Sequence, residues 1–450
     1  MSKYKYIIRN YHAIKEAEIK LDGITVLSGI NGCGKSTLSR WLYYLINGAK
    51  KFDNLLYEDY KEDIKYLVNR MQFACIDLDR YRRINNNSAG KVPMDKLFYI
   101  LEKLKNIKIS SADQIREVQE LFLQALYTTE DFLVEKLSDN ISDARKDRIF
   151  NYLHINIENG NVNQAIENFI EQNRRLINGM TKKLYKNIET RPIHTFYELI
   201  NKYFDINNDS PQLIQIEEDN VNLIEEEHIS TLFNLHQAIY IDTPMAIETG
   251  NTENIFWEAL HNIMLDDKLN KTLSLETKKF LIRIKDLLGG ETILEENELF
   301  DERNLRYISK DQKINILLKD AATGFKAFAY LQRLLENGYL NDETLLMIDE
   351  PEAHLHPQWI VEFARLLVLL NKKLGLKIMI ASHNPDMVAA IHDIANKEGV
   401  LDTTNFYVAK ADIQDCHKYI FKDLQHEIGE IFESFNIALE NINRYGAVDL

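Results

Sequence analysis

Nine residues near the start of the chain, Gly29-Ile30-Asn31-Gly32-Cys33-Gly34-Lys35-Ser36-Thr37, follow the spacing G-x-x-x-x-G-K-S-T. That spacing suits one task, the holding of phosphate. Successive backbone N–H groups ahead of a helix make a concave anion site. Gly29, Gly32 and Gly34 free the backbone to approach the phosphates closely. Lys35 brings a positive charge to β- and γ-phosphates, and the Ser36 hydroxyl is a ligand for Mg²⁺. Asn31, Cys33 and Thr37 complete the loop. Cys33 is expected to be a small filler, since nothing nearby marks it as an activated thiol.

Such a loop needs a partner carboxylate. Leu345-Leu346-Met347-Ile348 reads as a buried parallel strand, and Asp349-Glu350 stands at its carboxyl end, where open α/β sheets hold ligands. Asp349 would hold Mg²⁺, directly or through water. Glu350 is placed to orient or deprotonate an attacking water. Two more pieces flank this pair. Ala321-Ala322-Thr323-Gly324-Phe325-Lys326 opens a helix upstream, and His383 ends the next strand downstream, in Ala381-Ser382-His383-Asn384-Pro385.

This order of phosphate loop, small-residue helix start, acidic strand end and strand-terminal histidine resembles the ABC-type ATPase heads. The resemblance implies that Thr323 and Gly324 bind the γ-phosphate of an ATP held by another subunit. It implies that His383 contacts the γ-phosphate and the attacking water. The run Asp349-Glu350-Pro351-Glu352-Ala353-His354-Leu355-His356-Pro357 and the loop Gly29 to Thr37 are similar to those of the RecF/OLD/SMC-like ATPases. Ile8-Arg9-Asn10-Tyr11-His12-Ala13-Ile14 occupies the place of that group's N-terminal strand and turn, with Arg9 a candidate contact to base or ribose. The signature departs from the pattern, because Ala322 replaces the usual serine and leaves the Thr323 hydroxyl to compensate. No Q-loop glutamine is assignable. Gln72 and Gln237 are the candidates, and Thr243-Pro244 follows the strand where such a loop is expected.

The resemblance further implies an ATP hydrolase using ATP and Mg²⁺, closing head to head as at least a homodimer. In size and motifs the chain resembles the stand-alone ATPase subunits of bacterial anti-phage defence systems of the PARIS and Septu type. An effector acting in trans, with a nuclease as the candidate, is therefore expected. About 65 residues follow His383, too few for an ordinary Toprim domain, so no nuclease is expected in this chain. Two alternatives stay open: RecF-like ATP-dependent DNA repair, and a nucleotide-gated scaffold with little turnover. A transporter subunit or a small-molecule kinase fits the motifs less well.

The elements that must position these residues are legible in the hydrophobic pattern. Tyr6-Ile7-Ile8, Ala17 to Leu21, Ile24 to Leu27 and Ala238 to Ile241 read as strands, and Met71 to Asp77 as a further short apolar run. From Pro93 the spacing turns helical: Met94 to Ile107, Ala112 to Leu126, Thr129 to Leu137, Ala144 to Leu153, Gln164 to Asn187 and Thr195 to Tyr203. After residue 320 helices and strands alternate, which implies a parallel sheet covered by helices. The expected architecture is an α/β, ABC-type P-loop head with a mixed or parallel sheet flanked by helices. Its two parts, 1–92 and 231–450, are split by an all-α insertion over 93–230, an arm or a compact bundle. The acidic groups Glu217-Glu218-Asp219 and Glu225-Glu226-Glu227 are expected on a solvated face.

Composition sets outer bounds. A net charge of −15 disfavours nonspecific nucleic-acid binding by the whole surface and leaves a local basic groove open. Cys33, Cys75 and Cys416 are too widely spaced for a metal site or disulfide framework, which fits a reducing cytoplasm. No apolar run approaches the length of a membrane span.

Overall fold

The computed structural model describes residues 2–84, 94–137, 143–155, 162–204, 206, 209–242, 255–266, 273–297, 302–353 and 355–433. The chain divides into two compact units, Met1–Lys50 with Phe196–Leu450, and Lys51–Thr195. In chain order the elements begin with β1 (Tyr4–Tyr11), β2 (Ile14–Lys20), β3 (Ile24–Ser28) and α1 (Lys35–Ile84). There follow α2 (Met94–Asn106), α3 (Ala112–Leu137), α4 (Asp143–Leu153), α5 (Val162–Thr190) and α6 (Ile193–Phe204). Next come β4 (Leu213–Glu218), β5 (Val221–Asn222), β6 (Ile224–Glu225), β7 (His228–Ile229), β8 (Gln237–Ile241), α7 (Ile255–Leu265) and α8 (Leu275–Leu288). The chain continues with β9 (Gly290–Asn297), β10 (Glu302–Ser309), β11 (Asn315–Leu317), α9 (Thr323–Glu336), β12 (Thr344–Asp349) and α10 (Pro357–Leu374). It closes with β13 (Lys377–Ser382), α11 (Pro385–Glu398), β14 (Thr404–Ala411) and β15 (Tyr419–Gln425).

The first unit is built on a ten-stranded mixed sheet in the order β5-β4-β1-β2-β15-β14-β3-β13-β12-β8. From β14 to β8 all neighbours are parallel. Every residue of β3, β12 and β13 is buried. Strands covered on both faces need no polar side, so their sequences run apolar without alternation. On the other side β1 pairs antiparallel with β2 and β4, and β2 pairs parallel with β15. Helices α8 to α11 pack their apolar stripes on the parallel strands, with Phe328 edge-on to Phe363 at 5.3 Å.

Local chemistry starts and stops these helices where the sheet needs them. Asn384 caps α11 by accepting from the Asp386 and Met387 N–H groups, and Pro385 fills its first turn. Gly375 and Gly399 end α10 and α11 at φ 68° and 70°, a conformation that favours glycine. The result brings the carboxyl ends of β3, β8, β12 and β13 to one edge. Asp349 lies level with Ala381, and Ser382 level with Ser28.

The second unit is helical. Its apolar side chains, among them Phe122, Phe132 and Phe169, are buried, and Tyr60 shares a 2.9 Å hydrogen bond with Thr181. Among the described residues no helix is long and apolar enough to cross a membrane.

Three expectations change here. The run Met71 to Asp77 is not strand-like; it lies inside α1, where Met71 and Ala74 are buried three residues apart and Phe73 between them is 60% exposed. The compact helical unit spans Lys51–Thr195 rather than 93–230. It begins earlier because α1 runs on unbroken from the phosphate loop, and it ends earlier because the chain from Phe196, including most of α6 and the strand β4 that pairs with β1, belongs to the first unit. Glu218 is not on a solvated face. It is 8% exposed, accepts from Tyr4 Oη, Asn234 N and Asn234 Nδ2 at 2.9 Å each, and also from the Phe233 N–H. Glu225, Glu226 and Glu227 are exposed, as expected.

Candidate functional site

The loop from Gly29 to Ser36 takes its shape from three glycines. Gly29, Gly32 and Gly34 have φ of 154°, 81° and 102°. At Gly34 a Cβ would lie 2.7 Å from Ile14 Cγ1, so this position also needs glycine to seat the loop on the β1–β2 turn. Lys35 and Ser36 open α1 immediately after it. Beside the loop is a cavity of about 360 Å³ lined by His12, Ala13, Asn31, Gly32, Gly34, Lys35, Ser36, Thr37, Asp349, Glu350 and Ala381. The structure thus brings most of the residues singled out in the sequence to one place. Gly29 and Cys33 lie beneath this surface; Cys33 is fully buried, and burial pushes its thiol pKa up, as suits a filler.

Lys35 is 7% exposed, and its Nζ donates to the Gly29 and Ile30 carbonyls at 2.8 and 3.1 Å. Asp349, 2% exposed, is held by hydroxyls. Ser39 Oγ donates to Oδ1 at 3.1 Å, Tyr240 Oη to Oδ2 at 2.8 Å, and the Ser36 hydroxyl bonds the carboxyl as well. Burial raises the Asp349 pKa above the ordinary range; the hydroxyls pull it back, and Asp242 adds a further upward push. Tyr240 Oη also lies 3.1 Å from Asp242 Oδ1, and Arg40 reaches Asp242 Oδ2 at 3.2 Å. A phenol has one proton, so Tyr240 serves one carboxylate at a time. The Ser36 hydroxyl and the Asp349 carboxylate form a pair of hard oxygen donors already in contact, a donor set that fits Mg²⁺.

Glu350 follows with φ 47°, rare for a residue with a side chain, and its N–H donates to Ala381 O at 2.7 Å. The turn carries its carboxylate toward His383, whose Nδ1 is 3.4 Å from Glu350 Oε1 and 3.7 Å from Glu352 Oε1. Thr323 and Gly324 form the first turn of α9, which has no side-chain cap from Ala322 and no acidic residue. They are not among the residues lining the cavity.

Other candidates fall elsewhere. Arg9 is in an exposed cross-strand ion pair with Glu16 at 2.8 Å, whereas His12, its ring stacked on Tyr11 at 4.1 Å, lines the cavity. Gln72 lies in the helical unit and accepts from Lys105, and Gln237 begins β8 at the end away from Asp349. Neither stands in a Q-loop place. Thr243, Pro244 and His354 lie outside the described residues. Sequence reasoning missed Ser39, Arg40, Tyr240, Asp242 and Glu352. The period-two spacing of Tyr240 and Asp242 puts both on one face of β8, and Ser39 is one helical turn beyond Ser36; those were the available signals.

A family model described as an AAA ATPase domain matches residues 4–388. The methionine import ATP-binding protein MetN of Lactobacillus delbrueckii subsp. bulgaricus is 31% identical over 134 residues, 30% of this chain and 35% of MetN. Endonuclease GajA of Bacillus cereus is 22% identical over 470 residues, covering 91% of this chain and 61% of GajA. Old nuclease of Escherichia phage P2 is 31% identical over 113 residues, covering 24% of this chain and 19% of that protein. The chain therefore spans less than two thirds of the length of each of these relatives. With its phosphate loop, acidic strand end and parallel strands converging on one edge, the chain belongs to the AAA ATPase domain family.

Proposed function

We propose that this chain binds ATP with Mg²⁺ at the Gly29 to Thr37 loop and hydrolyses it in a site completed by a second copy. The observation that carries the reading is the convergence of Lys35, Ser36, Asp349 and Glu350 on one cavity of about 360 Å³. In this reading Asn31, Gly32, Gly34 and Thr37 present backbone N–H groups to the phosphates, with Gly29 and Cys33 shaping the loop from beneath. Lys35 leaves its loop carbonyls for the β- and γ-phosphates. Ser36 and Asp349 hold Mg²⁺, which when bound supplies positive charge to the phosphate oxygens. Glu350 takes up the attacking water, and His383, whose Nδ1 faces Glu350 Oε1 at 3.4 Å, steadies it on the γ-phosphate side. Catalysis is then positioning and electrostatic stabilisation of phosphoryl transfer to water.

Thr323 and Gly324 lie on an uncapped helix start outside the cavity lining, which supports their delivery to the γ-phosphate of another copy. ATP shared between two copies would favour the closed dimer, and hydrolysis would release it. Light scattering with Glu350→Gln and Mg²⁺-ATP tests this. A rise to dimer mass supports it; a monomer with ATP bound at the loop sinks it.

The role we assign is control of a partner effector in bacterial anti-phage defence, with the cytoplasm as the setting and a nuclease as the effector class. The similarity to an endonuclease and to a phage nuclease supports a nuclease as the activity this ATPase serves. In it the cutting belongs to the partner. Purified chain with Mg²⁺-ATP should leave plasmid and linear DNA intact, and cleavage lost on substitution of this chain's own acidic residues would overturn that assignment. Defence by a Glu350→Gln strain at full strength would mean that ATP acts as a clamp, with turnover incidental.

A further inference from the structure

We propose that Glu352 is the positioning residue that fixes His383 for hydrolysis; the proposal rests on the hydrolytic role given to His383 above. Glu352 is 6% exposed and stands in the turn after β12. Its Oε1 accepts from Ser382 Oγ at 2.8 Å and from the His383 backbone N–H at 3.1 Å. The same oxygen lies 3.7 Å from His383 Nδ1. One carboxylate therefore holds the backbone of the histidine and lies beside its ring. Ser382 extends the hold, since its Oγ also accepts from Asn384 N, and Asn384 caps α11.

Geometry separates the two glutamates that face this ring. The Glu350 side chain is 32% exposed and lines the cavity, where water and nucleotide compete for it. The Glu352 side chain is 4% exposed, is absent from the cavity lining, and is fixed by two hydrogen bonds. It is the rigid post of the pair. Both carboxylates address Nδ1, which favours the proton on Nδ1 and leaves Nε2 toward whatever enters from the other side. An Nε2 held in one tautomer can take a single polarity of contact with a phosphate oxygen or water, and a loose ring cannot.

Glu352 is also an expensive residue to keep as simple scaffolding. Its Oε2 is buried with no hydrogen-bond partner among the described residues. Burial raises the Glu352 pKa, against the pull of Ser382, the His383 N–H and His383 itself. Glu218, a buried glutamate remote from the phosphate loop, has both oxygens bonded. An acid retained with an orphaned oxygen, next to a histidine at the nucleotide edge, points to a task other than packing.

The test is a double-mutant cycle on steady-state ATP hydrolysis, with thermal melting as the control for folding. Glu352→Ala should lower kcat by about 10- to 100-fold, the range for residues that orient a catalytic group, with KM for ATP unchanged. Glu352→Gln keeps an acceptor for Ser382 and the His383 N–H but drops the charge, so it should fold like wild type and lose less. In the His383→Ala background neither change should lower kcat further. Equal losses with and without His383 would overturn the proposal, since Glu352 would then act on the fold. A His383→Ala protein that hydrolyses at the wild-type rate would instead overturn the hydrolytic role of His383 itself.

Discussion

Asp349 and Glu218 are buried acids of the same sheet, and they are treated in opposite ways. Glu218 ends β4 and receives three N–H donors and a phenol, so its charge is surrounded by fixed positive dipoles. Asp349 ends β12 and receives the hydroxyls of Ser36, Ser39 and Tyr240, with a second carboxylate, Asp242, close by. Hydroxyl groups rotate and can turn from donor to acceptor; backbone N–H groups cannot. Glu218 is thus complete as it stands. Asp349 is raised in pKa by burial, which suits the Mg²⁺-binding role proposed for it. The contrast teaches that burial alone does not mark function; the kind of donor does.

Exchanging the charges is the sharpest way to break the comparison. Asp349→Asn should reduce ATP hydrolysis by about 10²- to 10³-fold, the loss usual for one preorganised electrostatic group. The same substitution should raise the melting temperature of the nucleotide-free protein. The sign follows from linkage: Asp349 binds its proton more tightly folded than unfolded, so the stability it costs grows as pH rises from the ordinary aspartate range to the raised folded value. The gain from Asp349→Asn should therefore grow as pH rises above the ordinary aspartate range and vanish in acid. A melting temperature that falls at neutral pH would contradict the picture.

Glu218→Ala should do the reverse. It strands the Tyr4 hydroxyl and the Phe233 and Asn234 N–H groups, a cost of about 2–4 kcal/mol in chemical denaturation. Hydrolysis per folded molecule should stay at the wild-type level, and a specific loss of kcat would mean that the two acids communicate. Tyr240→Phe is finer. The ring keeps its edge-on packing with Phe256 at 4.8 Å while Asp349 loses one donor. The Mg²⁺ concentration for half-maximal ATP binding should rise about 10-fold. Arg9→Ala marks the small end: its ion pair is exposed, so stability should move by less than about 1 kcal/mol and ATP affinity should not change.

What the sequence made legible follows the same division. Leu345 to Ile348 and Ile24 to Leu27 announce buried parallel strands because both faces are covered, and the motifs at their ends need only local spacing. Glu218 misleads because its partner Tyr4 is 214 residues away, and no local pattern carries that. Tyr240 and Asp242 were passed over for the same reason: Asp349 comes to them through the pairing of β8 with β12. Met71 to Asp77 was an error of period, a short apolar run inside a 50-residue helix. The bounds of the helical unit, Lys51 and Thr195, fall inside α1 and α6, so no break in the helical pattern marks them.

The backbone of Glu350 carries one more consequence. A side chain at φ 47° costs about 1–2 kcal/mol that glycine would not. A library of variants sorted only for heat resistance should drift to glycine at position 350, while one sorted for ATP turnover should hold glutamate there. The same codon would be driven in opposite directions by the two selections, and the size of the divergence would report how much folding strength is given up to keep an acid at this position.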